Sequence, residues 1–414
     1  MKRIVIVGGG ISGLSVLHFL KKRFNDSVDI SLLERESMVG GTIRTVRANN
    51  CLFENGPNGF LDNQPTTFEL IDELGLNDQL VTANSAMRRR YIQFKGKLHQ
   101  VAGLLGFIQT SLLSPIAKIR FIQGLFNKKV DLNQSIESYV TTRFGVRISE
   151  RLADPFINGI HAGNIKRLHM ASCFPKFAQM GKTKKKMKMY SFKKGMGQLM
   201  EALYAKHQAS IQTNTEISAL AQINADLIIL ATPAYVSARL LEEENPALSH
   251  LLEKIPYAPV AVAGLTIKKK NLKRTPEGFG YLVPSSEGKD VLGVLIESNV
   301  FAGRGAEDQL MLRVMLGGAH HPAIINDSSD QILAKAIKEI DATYGLTQMP
   351  LHSFIKIWPR AIPQYECNYP DLRQAISRTL QTTPRVQLCA NYLDGVSFND
   401  CINNAKSIAG AIRI

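Results

Sequence analysis

Ile4-Val5-Ile6-Val7-Gly8-Gly9-Gly10-Ile11-Ser12-Gly13 decides the reading of this chain. Ile4 to Val7 is a short, wholly apolar run, the pattern of a strand buried on both faces. Gly8, Gly10 and Gly13 then follow with the spacing G-x-G-x-x-G. A helical pattern comes next, with Leu14, Leu17, Leu20 and Phe24. Val28-Asp29-Ile30-Ser31-Leu32-Leu33 reads as a second strand and ends in Glu34.

Each part has a physical task. Gly8 permits a tight turn, Gly10 lets a pyrophosphate approach the backbone, and Gly13 lets the helix pack closely on the strand. The open N–H groups of the helix start face the phosphates. Glu34 lies 21 residues past Gly13, where a carboxylate accepts hydrogen bonds from a ribose diol. A glycine motif by itself is weak. Strand, turn, helix, strand and acid in this order predict dinucleotide binding.

Working outward, Gly40-Gly41-Thr42-Ile43-Arg44-Thr45 is a second glycine turn, and Phe53-Glu54-Asn55-Gly56-Pro57 follows it. These resemble the GG-x-x-R-x element and the E-x-G-P turn of the large FAD-binding family that includes amine oxidases and porphyrinogen oxidases. The resemblance implies non-covalent FAD. The second glycine turn would run along the pyrophosphate, Arg44 would supply positive charge, and the Gly56 turn would lie beneath the flavin. The cofactor residues expected on this footing are Gly8, Gly10, Ile11, Ser12, Gly13, Glu34, Arg35, Gly41, Thr42, Arg44, Gly56, Pro57, Asn58, Ile217, Ala231, Gly395, Val396 and Ser397.

Composition bounds the rest. With 414 residues the chain is long enough for two or three domains. Apolar residues at 45% and charged residues at 21% exclude a largely disordered or collagen-like chain. Lys plus Arg is 50 and Asp plus Glu is 35, a net charge of +15. That favours anionic partners without choosing among them. Nucleic-acid binding would rest on charge alone and is not expected. The five cysteines form no CxxC pair, so they read as buried or idle thiols in a reducing cytoplasm, and no metal site is expected. The N-terminus runs straight into a strand pattern, so no secretory signal is expected. No uncharged stretch reaches the roughly 20 apolar residues of a membrane-spanning helix. The nearest, Val101 to Ala117, is flanked by Lys95, Lys97, Lys118 and Arg120. Two readings stay open for it: a segment dipping into a bilayer surface, or a buried helical pair.

Further patterns follow down the chain. Residues 65–80 read as a helix, and Tyr91 to Phe94 as a strand before a Lys95-Gly96 turn. Residues 101–150 look mainly helical, up to Gly145. The five lysines between Lys182 and Lys188 form a solvated loop or a contact with lipid phosphates. Residues 214–232 read as strands, and residues 257–316 are β-rich. A helix starts at about Asn399. The expected fold class is α/β, α+β overall, with a Rossmann-type FAD-binding domain, an inserted β-rich substrate domain and an inserted helical domain. The expected division gives residues 1–85, 190–250 and 375–414 to the first domain. Residues 86–100 and 251–374 go to the second, and 101–189 to the third, a candidate membrane-associating domain.

The chain further resembles the oxygen-dependent protoporphyrinogen oxidases over nearly its whole length. Arg90-Tyr91, Arg143-Phe144-Gly145 and Asp154-Pro155-Phe156-Ile157-Asn158-Gly159-Ile160-His161-Ala162-Gly163-Asn164 carry the resemblance first. Phe192 to Gly197, Gly278 to Pro284, Met315 to Gly318, Ile362-Pro363-Gln364-Tyr365, Gly395-Val396-Ser397 and Asn399-Asp400-Cys401-Ile402 carry it further. Lys194, Ala390, Asn368 and Met180 depart from the family pattern.

This resemblance implies oxidation of protoporphyrinogen IX to protoporphyrin IX in haem biosynthesis. Hydride would pass to flavin N5, and O2 would be the acceptor, giving H2O2. Arg90 would pair with a propionate, Gly159 would offer backbone to the ring, and Phe279, Leu282, Leu295 and Met315 would line an apolar slot. The helix near Asn399 would aim its N-terminus at the reduced ring. No residue is convincing as a general base, His161 included, so catalysis is expected to rest on positioning. Expected partners are a porphyrinogen, O2, a membrane surface and a second copy of the chain. The expected location is cytoplasmic, peripheral on the inner face of the membrane. Coproporphyrinogen III oxidation is the main rival. Amine oxidation, a non-redox flavin mutase and a porphyrin-carrying flavoprotein are more distant ones.

Overall fold

The computed structural model describes residues 1–101, 103–126, 130–175 and 187–413. Its first sheet is five-stranded and parallel. The order is Ile211–Gln212, Val28–Leu33, Lys2–Val7, Leu227–Leu230, Val386–Leu388. Both faces are covered, which is why Ile4 to Val7 is apolar without alternation. Ile4 and Ile6 pack with helices Ile11–Phe24 and Phe398–Ala411. Val5 and Val7 pack with helices Ala234–Leu241 and Pro246–Glu253.

The second sheet has seven strands in the order His352–Pro363, Tyr257–Lys268, Gln309–Gly317, Val291–Ile296, Gly280–Leu282, Arg90–Phe94, Lys97–Gln100. All neighbours are antiparallel except Gly280–Leu282 beside Arg90–Phe94. Alternation gives this sheet two faces. Leu312, Val314, Leu265 and Ile267 point outward and pack with Ile332, Ala336 and Ile340 of helix Ser329–Tyr344. The alternate residues form an inner wall. A hairpin of Thr45–Ala48 and Cys51–Glu54 lies against it, with Phe53 stacked on Phe354 at 5.8 Å between centroids.

Helices supply most of residues 103–173, among them Gly103–Gln109, Pro115–Phe126, Ile136–Phe144 and Asp154–His161. A turn of π-helix at Ser149–Ala153 leads into the last. Gly145, with φ +95°, ends the helical run at Phe144. Helix Pro115–Phe126 buries its small side: a Cβ on Gly124 would meet Arg143 O at 2.3 Å. Phe121 packs inward on Phe144, but the other large residues face outward, with Ile116 78% exposed, Phe126 80% exposed, and Ile119, Ile122 and Leu125 at least half exposed.

Three expectations change. The helix at 65–80 spans only Pro65–Glu73, because Gly75 takes φ +66° and turns the chain into a short 3-10 turn and strand Leu80–Thr82. Between 211 and 232 only Ile211–Gln212 and Leu227–Leu230 are strands. Asn214 at φ +53° breaks the first of these runs. Val101 to Ala117 is neither one surface segment nor a wholly buried pair. It covers helix Gly103–Gln109 and the start of Pro115–Phe126, and Ile108 and Ile116 are exposed. Among the described residues no helix is long and apolar enough to cross a membrane. Met180 and the lysines of 182–186 lie outside the described residues.

Candidate active site

Four turns meet at the C-terminal edge of the parallel sheet. The Gly8 turn packs so closely on helix Ile11–Phe24 that a Cβ on Gly13 would lie 1.9 Å from Gly8 O. Gly40 N donates to Gly9 O at 2.8 Å. Gly41 faces Gly10, whose Cα would stand 3.3 Å from an added Cβ. Gly56 rests on Thr42, where a Cβ would strike Thr42 O at 2.3 Å. The Ser12 hydroxyl reaches the Cys401 thiol, tying the first turn to helix Phe398–Ala411. Asn399 pins the start of that helix by donating to Leu61 O and accepting from Thr67. Ser397 caps it, its hydroxyl accepting from Asp400 N. Gly395 N donates to the Tyr365 hydroxyl at 3.0 Å.

The Glu34 carboxylate accepts from Gly9 N at 2.6 Å and from Glu36 N at 2.9 Å. Each oxygen thus keeps acceptor capacity for a ribose diol. Arg35 is turned to the surface on Glu36. Thr215 N donates to Glu34 O, which brings the Ile217 segment to the same end. Ala231 closes against Gly8, with Ala231 O 2.9 Å from a Cβ added there.

These residues fit a flavin dinucleotide by two tests. A Cβ on Gly10 would meet no protein atom within 4 Å, so backbone is presented openly at the helix start. Ten buried polar side-chain atoms lack a hydrogen-bond partner among the described residues, and five of them gather here: Arg44 Nε, Asn55 Oδ1, Asn58 Nδ2, Arg313 Nε and Glu297 Oε1. Buried polar atoms are rarely left so. Gly8–Ser12, Glu34, Arg44, Gly56–Asn58 and the Ser397 cap would hold such a cofactor.

The inner wall begins where the Gly56 turn ends. Arg313 donates to Gly56 O, and Trp358 Nε1 donates to Asn55 O at 2.9 Å. Lys356 lies with its ammonium 4.5 Å from the Trp358 ring centre. The registers place the expected substrate residues on this one face. Gly280 pairs with both Arg90 and Leu295, and Met315 pairs with Gly293, which pairs with Leu282. The Arg90 guanidinium stands 4.9 Å over the Phe279 ring. Helix Asp154–His161 crosses the wall, held by Asp154, which accepts from Ser285 N and Oγ. On that helix Gly159 meets Leu282: an added Cβ would lie 2.5 Å from Leu282 Cδ2. All six expected substrate residues are therefore brought together. His161 is buried edge-on to Phe174, and burial pushes its imidazole down to about 4. It is neutral at physiological pH.

Arg313, Glu297, Trp358 and Arg304 do not figure among the expected site residues. Two signals were readable. Arg313 is a lone charge inside the apolar run Leu310 to Leu316, and Trp358 is the only tryptophan.

A parallel nucleotide sheet with helices on both faces, meeting a walled apolar slot at the Gly56 turn, is the arrangement of a flavin-dependent oxidoreductase. The profile of the flavin-containing amine oxidoreductases matches residues 11–413, and the chain belongs to that family. It is 28% identical to human protoporphyrinogen oxidase, covering 99% of this chain and 98% of that one. It is 25% identical to the coproporphyrinogen III oxidase of Bacillus subtilis, covering 98% and 97%. A solved structure of a candidate protoporphyrinogen oxidase from Exiguobacterium sp. 255-15 has a TM-score of 0.86 at 23% identity, covering 99% and 98%. A solved reduced UDP-galactopyranose mutase has a TM-score of 0.77 at 12% identity, covering 99% and 93%. These two likenesses speak to the fold alone.

Proposed function

We propose that the chain binds FAD non-covalently and oxidises protoporphyrinogen IX to protoporphyrin IX, with O2 taking the electrons and leaving as H2O2. The observation that carries this reading is the inner wall. It sets a guanidinium, Arg90, beside an apolar strip of Phe279, Leu282, Leu295 and Met315 that runs toward the Gly56 turn. A flat apolar macrocycle with propionate arms needs that combination.

Bound flavin supplies the two-electron acceptor that no side chain can provide. The chain does the rest. Arg90 fixes one propionate and so sets which methylene bridge faces the Gly56 turn. Helix Asp154–His161, packed on Leu282, keeps the macrocycle against the wall. The dipole of helix Phe398–Ala411, started by Ser397, favours negative charge at its N-terminus. His161 is buried and neutral and takes no proton in this scheme.

A second reading, oxidation of coproporphyrinogen III, is supported by the Bacillus relative of that name. We further propose that the molecule works peripherally at the inner face of a membrane. Helix Pro115–Phe126 supports this with its exposed Ile116, Ile119, Ile122 and Phe126 beside Lys118 and Arg120.

The test is a fluorescence assay in air with the purified flavoprotein. Protoporphyrinogen IX and coproporphyrinogen III are offered separately, each against an enzyme-free control for autoxidation. Faster turnover of the first is expected. Preference for the second transfers the reaction to the second reading. No acceleration of either, at full flavin occupancy, overturns both.

A further inference from the structure

Arg313 stands in the middle of the inner wall, paired in register with Gly264 on one side and Leu295 on the other. It is only 7% exposed. One of its N–H groups donates to Gly56 O, while its buried Nε has no hydrogen-bond partner among the described residues. Its nearest anion is Glu297, with Nη1 3.7 Å from Oε1, too long for a hydrogen bond. Glu297 is 3% exposed, and its Oε1 has no hydrogen-bond partner among the described residues.

A second buried pair lies alongside. Arg304 Nη1 is 3.0 Å from Glu54 Oε1, and both side chains are buried. Glu54 also accepts from Thr45 Oγ1 and Met196 N, and Arg304 also donates to Ser191. Glu54 is therefore committed to Arg304 and two further donors. Glu297 differs. Burial pushes its carboxyl up, Glu54 adds to the push, and Arg313 and Arg304 oppose it. The four groups comprise two guanidiniums, one fully engaged carboxylate and one buried carboxyl whose Oε1 has no hydrogen-bond partner among the described residues. Of the two guanidiniums it is Arg313 that reaches the Gly56 carbonyl, bringing its charge onto that turn. A buried guanidinium whose carboxyl partner stands 3.7 Å away is costly, and packing does not require one there: Leu295 and Met315 occupy the flanking wall positions as plain apolar residues.

We propose that Arg313 is a positioning residue that fixes the Asn55–Gly56–Pro57 turn and holds a positive potential on it, so that the reduced form of the cofactor seated there is favoured. This rests on FAD being held at that turn and not on the identity of the substrate. A guanidinium with a purely structural role would anchor the turn without moving the cofactor's redox balance.

The test uses the purified holoprotein without any porphyrinogen and reads the flavin midpoint potential and the affinity for sulfite. Arg313→Met is expected to keep its FAD. Its reduced form should be at least tenfold less favoured, about 30 mV for a two-electron couple, and its sulfite affinity at least tenfold weaker. Arg313→Lys should stay within threefold of the parent on both. A fully loaded Arg313→Met with unchanged potential overturns the proposal. If Arg313→Met does not retain FAD, Glu297→Gln decides. Glutamine mimics the protonated carboxyl, so the potential should stay within threefold. A tenfold shift favouring reduction would mean that Glu297 is ionised and cancels Arg313, and would overturn the proposal. These shifts in a protein that turns over neither porphyrinogen would sink the substrate reading and leave this one standing.

Discussion

At the scale of single residues the glycines of the first turn do different work, and substitution separates them. Gly13 is bound by the protein itself, since its Cβ would collide with Gly8 O, a backbone atom that cannot step aside. Overpacking of this kind costs about 1–3 kcal/mol. Gly13→Ala should therefore lower the melting temperature of the flavin-free protein. A Cβ on Gly10 would meet nothing within 4 Å among the described residues. Gly10→Ala should leave that melting temperature alone and still cut flavin occupancy, read from absorbance near 450 nm as about tenfold weaker binding, the equivalent of ~1.4 kcal/mol. Equal effects of the two on the flavin-free protein would contradict this division. Gly159 is a third case. Its added Cβ would meet the movable end of Leu282 rather than backbone. Gly159→Ala should fold and load flavin normally. The displaced Leu282 would narrow the slot and raise KM for the porphyrinogen several-fold, with kcat less affected; an unchanged KM would remove Gly159 from the wall.

At the scale of elements, helix Pro115–Phe126 invites the clearest test. Glutamate at Ile119, on its exposed side, removes apolar surface and adds charge of the wrong sign for an anionic bilayer. Ile119→Glu should lose co-sedimentation with anionic liposomes and keep full activity in detergent. If the parent does not sediment with liposomes but the variant loses a dimer on gel filtration, the face is an interface between copies instead. Elements also show what a sequence discloses. The βαβ unit is legible because its glycines, its fully apolar strand and Glu34 are all local. The strands at Tyr257–Lys268, Val291–Ile296 and Gln309–Gly317 are legible from apolar runs inside the stretch expected to be β-rich. Strand His352–Pro363 is not. It is the sheet's edge, half-exposed and broken by Pro359, so it has neither an apolar run nor a clean alternation. Its inner residues, Phe354, Lys356 and Trp358, are recognised only once the register shows what they face. Arg313 stands out in the sequence as a lone charge, but its place at the site does not, because which side of a strand meets the Gly56 turn is settled by a partner 257 residues away.

At the scale of the whole molecule, buried histidines set the response to acid. His207 is pushed down to about 4 by burial and by neighbouring His18 and lysines, and His161 to about 4 by burial. His18 is lowered too, chiefly by burial, although it lies 3.0 Å from His207 and 2.7 Å from Glu73 and so joins three helices. A folded pKa below the unfolded one means that the unfolded chain binds more protons in between. Stability should fall as pH drops from about 6.5 toward 4. Glu297 and Asp154, whose carboxyls are raised mainly by burial, offset part of this at the acid end. Denaturant midpoints measured across that range should decline, and His161→Asn should flatten the curve. A flat profile in the parent would mean that these imidazoles are solvated.

The parallel sheet has one more consequence, and it concerns timing. Its central strands and first helix come from residues 2–33, while edge strand Val386–Leu388 and covering helix Phe398–Ala411 come from the far end of the chain. A ribosome adding roughly 5–20 residues per second delivers that edge and cover only about 20–80 s after the glycine turn emerges. Throughout that interval the apolar face that helix Phe398–Ala411 later covers stands open. The cofactor turns are therefore complete only once Ser397 and helix Phe398–Ala411 have been made. A chain cut short before Val386 would carry the whole nucleotide motif, yet it would be cleared by proteolysis rather than persist as an empty enzyme.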